Sequence, residues 1–192
     1  MDKKKFLDDI GKRVHNCKRC LLYKTATHGV PGEGDPNSAI MFVGEAPGRV
    51  EDETGRPFVG RAGMLLNKLL ESINLSRESV FITSVVKHRP PKNRPPKPQE
   101  VKACSFWLTQ QLSIIKPKLI CTLGNFGLHY FLPKEKISKI HGTMKKITID
   151  KKTFMIFPLY HPAAGLRSTR NKITLQEDFQ KLKLEIKKYD VI

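Results

Sequence analysis

No stretch of the 192-residue chain is apolar over the length needed to cross a bilayer. The amino terminus begins Met1-Asp2-Lys3-Lys4-Lys5, and no apolar segment follows that charged start, so no secretory signal is expected. Internal repeats and low-complexity segments are missing as well. These absences exclude a helical membrane protein and a repeat array, and an intracellular protein is expected. Acidic residues are scarce: 18 Asp and Glu stand against 35 Lys and Arg, a formal net charge of +17. An excess of that size points to a polyanion, nucleic acid before an anionic membrane surface. Cysteine is scarce too. In a reducing compartment the four cysteines are read as metal ligands or core residues rather than disulfides. The abundance of lysine fits a thermophilic prokaryote. The length corresponds to one domain, over residues 1–192.

What is present alternates between two periodicities. Phe6, Ile10 and Val14 recur every four residues, which predicts one face of a helix over Lys3–His15. Residues 25–38 carry Gly29, Pro31, Gly32, Gly34 and Pro36 and read as loop. The apolar run Ala39–Val43 reads as a strand buried on both faces. A helix is expected over Arg61–Ile73 with Met64, Leu65, Leu69 and Ile73 inward, then a strand over Ser79–Val86. Lys87–Pro98 is a basic, proline-stiffened loop. A long helix runs from Pro98 and stops before Pro117. Leu119–Leu123 is a third strand and Gly124–Leu132 a short helix. Lys145–Ile149 and Thr153–Leu159 are strands around a turn at Asp150–Lys152. Tyr160–Arg167 reads as a strand-end loop, and Leu175–Tyr189 as a helix docking through Phe179, Leu182 and Ile186. Strands alternating with helices predict an α/β fold whose mostly parallel sheet is covered on both faces.

Four features carry chemistry. The loop after the first strand reads Gly44-Glu45-Ala46-Pro47-Gly48 and continues to Gly55-Arg56-Pro57-Phe58-Val59-Gly60. A loop leaving the carboxyl end of a strand is where open α/β sheets build ligand sites. Glu45 offers a carboxylate at the strand tip and Phe58 a flat apolar face, which suits a planar, hydrogen-bonding ligand such as a nucleobase. His161 ends another apolar strand, where it can donate to negative charge developing on a leaving group. In a parallel sheet both strand ends share one edge. Leu166-Arg167, an apolar side chain beside a cation, has the form of a DNA wedge. Finally, Cys17-x-x-Cys20 lets two thiolates reach one metal centre, a spacing shared by zinc sites, iron–sulfur clusters and redox pairs. Further ligand candidates are Cys104, Cys121 and His88, although Cys121 lies within an apolar strand, where a buried free thiol is common.

Taken together, these residues resemble the family-4 uracil-DNA glycosylases, the iron–sulfur branch of that superfamily. The resemblance is carried by Gly44-Glu45-Ala46-Pro47-Gly48, by Gly55-Arg56-Pro57-Phe58-Val59-Gly60-Arg61-Ala62-Gly63, by Arg89-Pro90-Pro91-x-Asn93-Arg94 and by His161-Pro162-Ala163-Ala164. It covers most of the chain, from Cys17 to about Phe179. It implies a three-layer α/β/α fold with a central four-stranded, mostly parallel sheet. It also implies a monofunctional enzyme that flips uracil out of DNA and hydrolyses its N-glycosidic bond, leaving an abasic site without strand cleavage. Gly44, Glu45, Ala46, Phe58, Ser84 and His161 would bind the base. Phe58 would stack on it, Glu45 would stand by the attacking water, and His161 would hydrogen-bond uracil O2. Arg89, Asn93, Arg94, Leu166 and Arg167 would face DNA. A monomer is expected, with uracil-containing DNA as partner and a sliding clamp as a further candidate. Two alternatives stand beside this reading: a glycosylase for another deaminated base, and a non-catalytic DNA-binding iron–sulfur module.

The chain departs from the family pattern twice. The family usually has Asn where this chain has Ser84. An Asn offers a donor and an acceptor to the polar edge of uracil, whereas Ser offers one rotatable hydroxyl. The family's third cysteine usually stands just before Arg-Pro-Pro, and here that residue is His88. The resemblance therefore implies a [4Fe–4S] cluster on Cys17, Cys20, His88 and Cys104, the rival fourth ligand being Cys121.

Overall fold

The computed structural model describes residues 2–149 and 152–192. Among the described residues six strands are present: β1 (Glu33–Gly34), β2 (Ile40–Gly44), β3 (Phe81–Ser84), β4 (Leu119–Leu123), β5 (Lys145–Ile149) and β6 (Lys152–Leu159). The helices among the described residues are α1 (Lys3–His15), α2 (Arg49–Thr54), α3 (Arg61–Glu71), α4 (Pro98–Ile115), α5 (Gly124–Phe131), α6 (Ile137–Ile140), α7 (Pro162–Arg167) and α8 (Thr169–Lys188). The turn expected at Asp150–Lys152 falls at residues 150 and 151, outside the described residues.

The strands form one sheet in the order β1-β3-β2-β4-β6-β5. The inner four are mutually parallel, and β1 and β5 pair antiparallel at the edges. The expectation of four strands is thus corrected to six. β1 is only two residues long, with a glycine, and sits in a stretch that reads as loop. β5 joins as the other half of a hairpin with β6.

Side chains alternate across the parallel strands and divide the core in two. On one face Phe42, Ile82, Cys121 and Phe157 pack with Leu66 and Leu70 of α3 and Phe179 and Leu182 of α8. On the other face Met41, Val43, Phe81 and Ile120 pack with Ile10 and Val14 of α1 and Trp107 and Leu108 of α4. The result is the expected three-layer α/β/α arrangement. Fully burying side chains of this size contributes about 1.5–3 kcal/mol each.

Several boundaries and faces differ from expectation. Phe6 is exposed, leaving Ile10 and Val14 to seat α1. Met64 is also exposed, because the inward stripe of α3 is Leu65, Leu66, Leu69 and Leu70. Tyr160–Arg167 is not all loop. His161 caps the short helix α7, and Pro162 takes its first position, where a missing N–H costs nothing. Lys87 and His88 are buried rather than part of an exposed basic loop.

Candidate active site

The strand order reverses around β2, with β3 on one side and β4 on the other. Open α/β sheets place ligands at the carboxyl ends of strands around such a point. The glycine-rich loop leaves β2 here, Ser84 ends β3, and His161 follows β6. The β2–β3 ladder runs on beyond the strands: Val85 N–H donates to Gly44 O and Val86 N–H to Glu45 O, both at 3.0 Å. Glu45 is thereby fixed beside Ser84. Together Glu45, Ala46, Phe58, Ser84 and His161 line one cavity of about 580 Å³. That size is typical of a small-molecule site. Asn93, Arg94 and Arg167 stand around the same cavity.

Gly44 lies under the ring of Phe58 instead of lining the cavity. A Cβ on it would fall 2.5 Å from Phe58 Cζ, so only glycine lets the ring sit there. Phe58 takes a left-handed backbone conformation, φ 50°, which is costly for a residue with a Cβ. It is held there by Arg77, which donates through Nη1 to Phe58 O at 3.0 Å and through Nη2 to Pro57 O. Arg77 is held in turn by Glu33 at 2.7 Å. Glu51 closes the loop from the other side. Its Oε1 accepts from the N–H groups of Val59 (3.0 Å) and Gly60 (2.8 Å), and its Oε2 from Gly48 N–H (3.1 Å). The Phe58 ring is thus fixed 5.6 Å, centroid to centroid, from the His161 ring.

The electrostatics set the protonation of both candidate catalytic groups. Burial pushes the Glu45 carboxyl up from its ordinary range. Burial also pulls His161 down to about 4, so its imidazole is neutral near pH 7. Ala163 N–H donates to His161 Nδ1 at 3.1 Å. A nitrogen that accepts carries no proton, so the neutral ring bears its proton on Nε2. His161 is therefore a neutral donor, with the proton on the nitrogen left free by the helix cap.

The other expected DNA-facing residues are arranged less uniformly. Arg89 Nε donates to Asn93 Oδ1 at 2.7 Å, bracing the proline-rich loop. Arg94 is engaged by both oxygens of Glu100, at 2.9 and 2.6 Å, which pins that loop to α4. Leu166 is 41% exposed. Sequence reasoning missed Glu51, Arg77 and Lys87. Lys87 is fully buried, and its Nζ donates to Thr83 Oγ1 (2.6 Å), Ser84 O (2.7 Å) and Gln111 Oε1 (2.8 Å). It ties the end of β3 to α4 beneath the cavity. Desolvation lowers its pKa to about 7.

Cys17, Cys20 and Cys104 meet away from this cavity, on the α1–α4 face of the sheet. Burial raises the Cys104 thiol to about 11; Lys87, by its charge and its backbone N–H, works against that rise, and the nearby Cys20 and Cys17 add to it as like charges. Cys20 is likewise raised, first by burial. Two sulfurs accept hydrogen bonds: Cys104 Sγ from Lys87 N–H (3.1 Å) and Cys17 Sγ from Trp107 Nε1–H (3.3 Å). His88, buried next to Lys87, has Asp52 and His15 as its titratable neighbours. Cys121 points to the opposite face of the sheet, among the α3 and α8 side chains. Among the described residues no three His, Cys, Asp or Glu side chains close around a single metal ion. The three thiols, two of them already accepting N–H hydrogen bonds, nonetheless form a donor set of the kind that suits an iron–sulfur group.

The description "Uracil DNA glycosylase superfamily" matches residues 31–185. The chain is 46% identical to the type-4 uracil-DNA glycosylase of Sulfurisphaera tokodaii, covering 92% of this chain and 83% of that protein. It is 46% identical to the type-4 enzyme of Saccharolobus solfataricus, with 92% and 85% covered. With the type-4 enzyme of Archaeoglobus fulgidus it shares 43% identity over 92% and 91%. The chain belongs to the uracil-DNA glycosylase superfamily, in its type-4 branch.

Proposed function

We infer that the chain, acting as one domain, excises uracil from DNA by hydrolysing the N-glycosidic bond and so begins base-excision repair. The observation that carries this is the single cavity joining an aromatic face, a carboxyl group and an imidazole that keeps its proton on Nε2. The flipped base stacks on Phe58. His161 Nε2–H donates to uracil O2, where charge collects as the C1′–N1 bond breaks and the bonding pair leaves on the base. Water adds to C1′, and its surplus proton passes to the Glu45 carboxylate. No lysine lines the cavity among the described residues, which supports hydrolysis over Schiff-base chemistry.

The thiols fit a structural role. A [4Fe–4S] cluster would be held by Cys17, Cys20, Cys104 and His88. When bound it supplies a cross-link between the segment after α1, the β3–α4 loop and α4. The place of Cys121 on the other face of the sheet supports leaving it out of this set. Arg89, Asn93, Arg94 and Arg167 would face the DNA around the cavity mouth, with Leu166 as the wedge.

Oligonucleotides with one uracil, opposite G, opposite A or unpaired, test the reading. The expected result is free uracil and an abasic strand that breaks only in alkali. A protein–DNA adduct trapped by borohydride would contradict hydrolysis by water. Ser84 gives a second expectation. Its hydroxyl meets only part of the polar edge of uracil, and an unmet buried polar group costs about 1–3 kcal/mol. Ser84→Asn is therefore expected to raise kcat/KM for uracil about tenfold. An unchanged or lower value would show that the hydroxyl, alone or through water, already serves that edge.

A further inference from the structure

A second groove, of about 510 Å³, lies between α3 and the junction of α7 with α8. It exists because α7 packs closely on both helices. A Cβ at Gly165 would come within 2.9 Å of Leu175 Cδ1 and 3.1 Å of Leu65 Cδ2. The close approach sets Arg61, Met64 and Lys68 opposite Leu166, Arg167 and Lys172. Arg61, Met64 and Lys68 are three and four residues apart on α3, so they form one wall.

Four cations line the groove and no carboxylate does. Among the described residues none of the four is in an ion pair, whereas Arg56, Arg77 and Arg94 are paired with Glu33 or Glu100. Between the cations stand two exposed apolar side chains, Met64 at 55% and Leu166 at 41%. Unpaired cations flanking apolar side chains complement a sugar–phosphate backbone: the phosphates meet the cations and the sugars meet Met64.

The groove adjoins the base cavity, since Arg167 lines both. Leu166 lines the groove and not the cavity. A strand that delivers its base into the cavity runs over the cavity mouth, and the wedge fills the gap it leaves. Apart from Arg167, no residue of the groove lines the cavity, so the groove offers a separate basic surface next to the wedge.

We propose that this groove binds the backbone of the strand opposite the extrahelical nucleotide, making duplex DNA the preferred substrate. The proposal rests on the base-excision reading above. Lys68→Ala/Lys172→Ala tests it, since both side chains are exposed and outside the base cavity. Uracil release and equilibrium binding are measured on one uracil oligonucleotide, single-stranded and as a duplex. Binding, read by fluorescence anisotropy with a non-hydrolysable uracil nucleotide, decides the proposal even if no base is released. Failure of release alone bears on the base-excision reading instead. The expected result is a duplex affinity about tenfold weaker, with a salt dependence shallower by about two counterions, and single-strand affinity unchanged within twofold. Equal losses on both substrates would assign the cations to the uracil-bearing strand and overturn the proposal. No loss on either would overturn it as well.

Discussion

Replacing His161 by alanine is expected to slow uracil release by about 10²- to 10³-fold at saturating substrate, the usual cost of removing one donor aimed at developing negative charge. The effect belongs in kcat, because the charge on uracil O2 develops only as the bond breaks. Alanine also removes the cap of α7, which carries Leu166 and Arg167. His161→Asn separates the two roles, since asparagine is a good cap but has no N–H in the Nε2 position. It is expected to restore DNA binding and leave the rate low. If His161→Asn were as fast as the wild type, the imidazole would be a structural cap only.

The pH profile follows from the same geometry. His161, at about 4, is already neutral at pH 7, so it adds no limb between about pH 6 and 8. Glu45 must be ionised to accept a proton, and burial raises its pKa. Activity therefore falls as pH drops through that raised value, and Glu45→Gln removes this limb along with most of the rate. Stability follows His161. The unfolded chain protonates this residue near pH 6.5, and the folded chain only at about 4. Between these values the unfolded state binds more protons. The contribution of neutral His161 is thus complete above about pH 6.5 and is lost as pH falls toward 4.

With the cluster held as proposed, Cys104→Ala is expected to remove its iron and its visible absorption, and to lower Tm by roughly 10 °C. The cluster would act as any cross-link that closes a long loop. Joining the segment at Cys17 and Cys20 to Cys104 restricts the unfolded chain by about 4 kcal/mol on the chain-entropy scale, and about 1 kcal/mol moves Tm by about 2–4 °C at this size. Cys121→Ala is expected to keep the iron, because its thiol faces the α3–α8 layer. His88→Cys is also expected to keep it, whereas His88→Ala is expected to lose iron or bind it weakly. Loss of iron in Cys121→Ala together with retention in His88→Ala would reverse the ligand assignment.

How much of this was legible in the sequence depends on what each residue bonds to. The inner strands were plain because strands buried on both faces are continuous apolar runs, as in Ile40–Val43 and Leu119–Leu123. Glu45 and His161 were plain because each directly follows such a run. Glu51 and Arg77 were not. Their partners are backbone N–H and C=O groups 3 to 20 residues away, which leave no periodic mark. Lys87 reads as one more charge in a basic loop, yet the loop turns inward and delivers it to Thr83 and Gln111. Met64 reads as core from spacing alone. Two inward pairs, Leu65-Leu66 and Leu69-Leu70, rotate the stripe and leave it in the groove beside Leu166.

The most direct test of the central claim identifies the base itself. Duplexes carrying uracil, hypoxanthine or xanthine at one position are mixed in equal amounts and incubated with excess protein, and the released bases are identified by mass spectrometry. The cavity over Phe58, with neutral His161 and Glu45, predicts free uracil as the dominant early product and its loss in Glu45→Ala and His161→Ala. Release of another base first, or of none by protein with its iron intact, would contradict it.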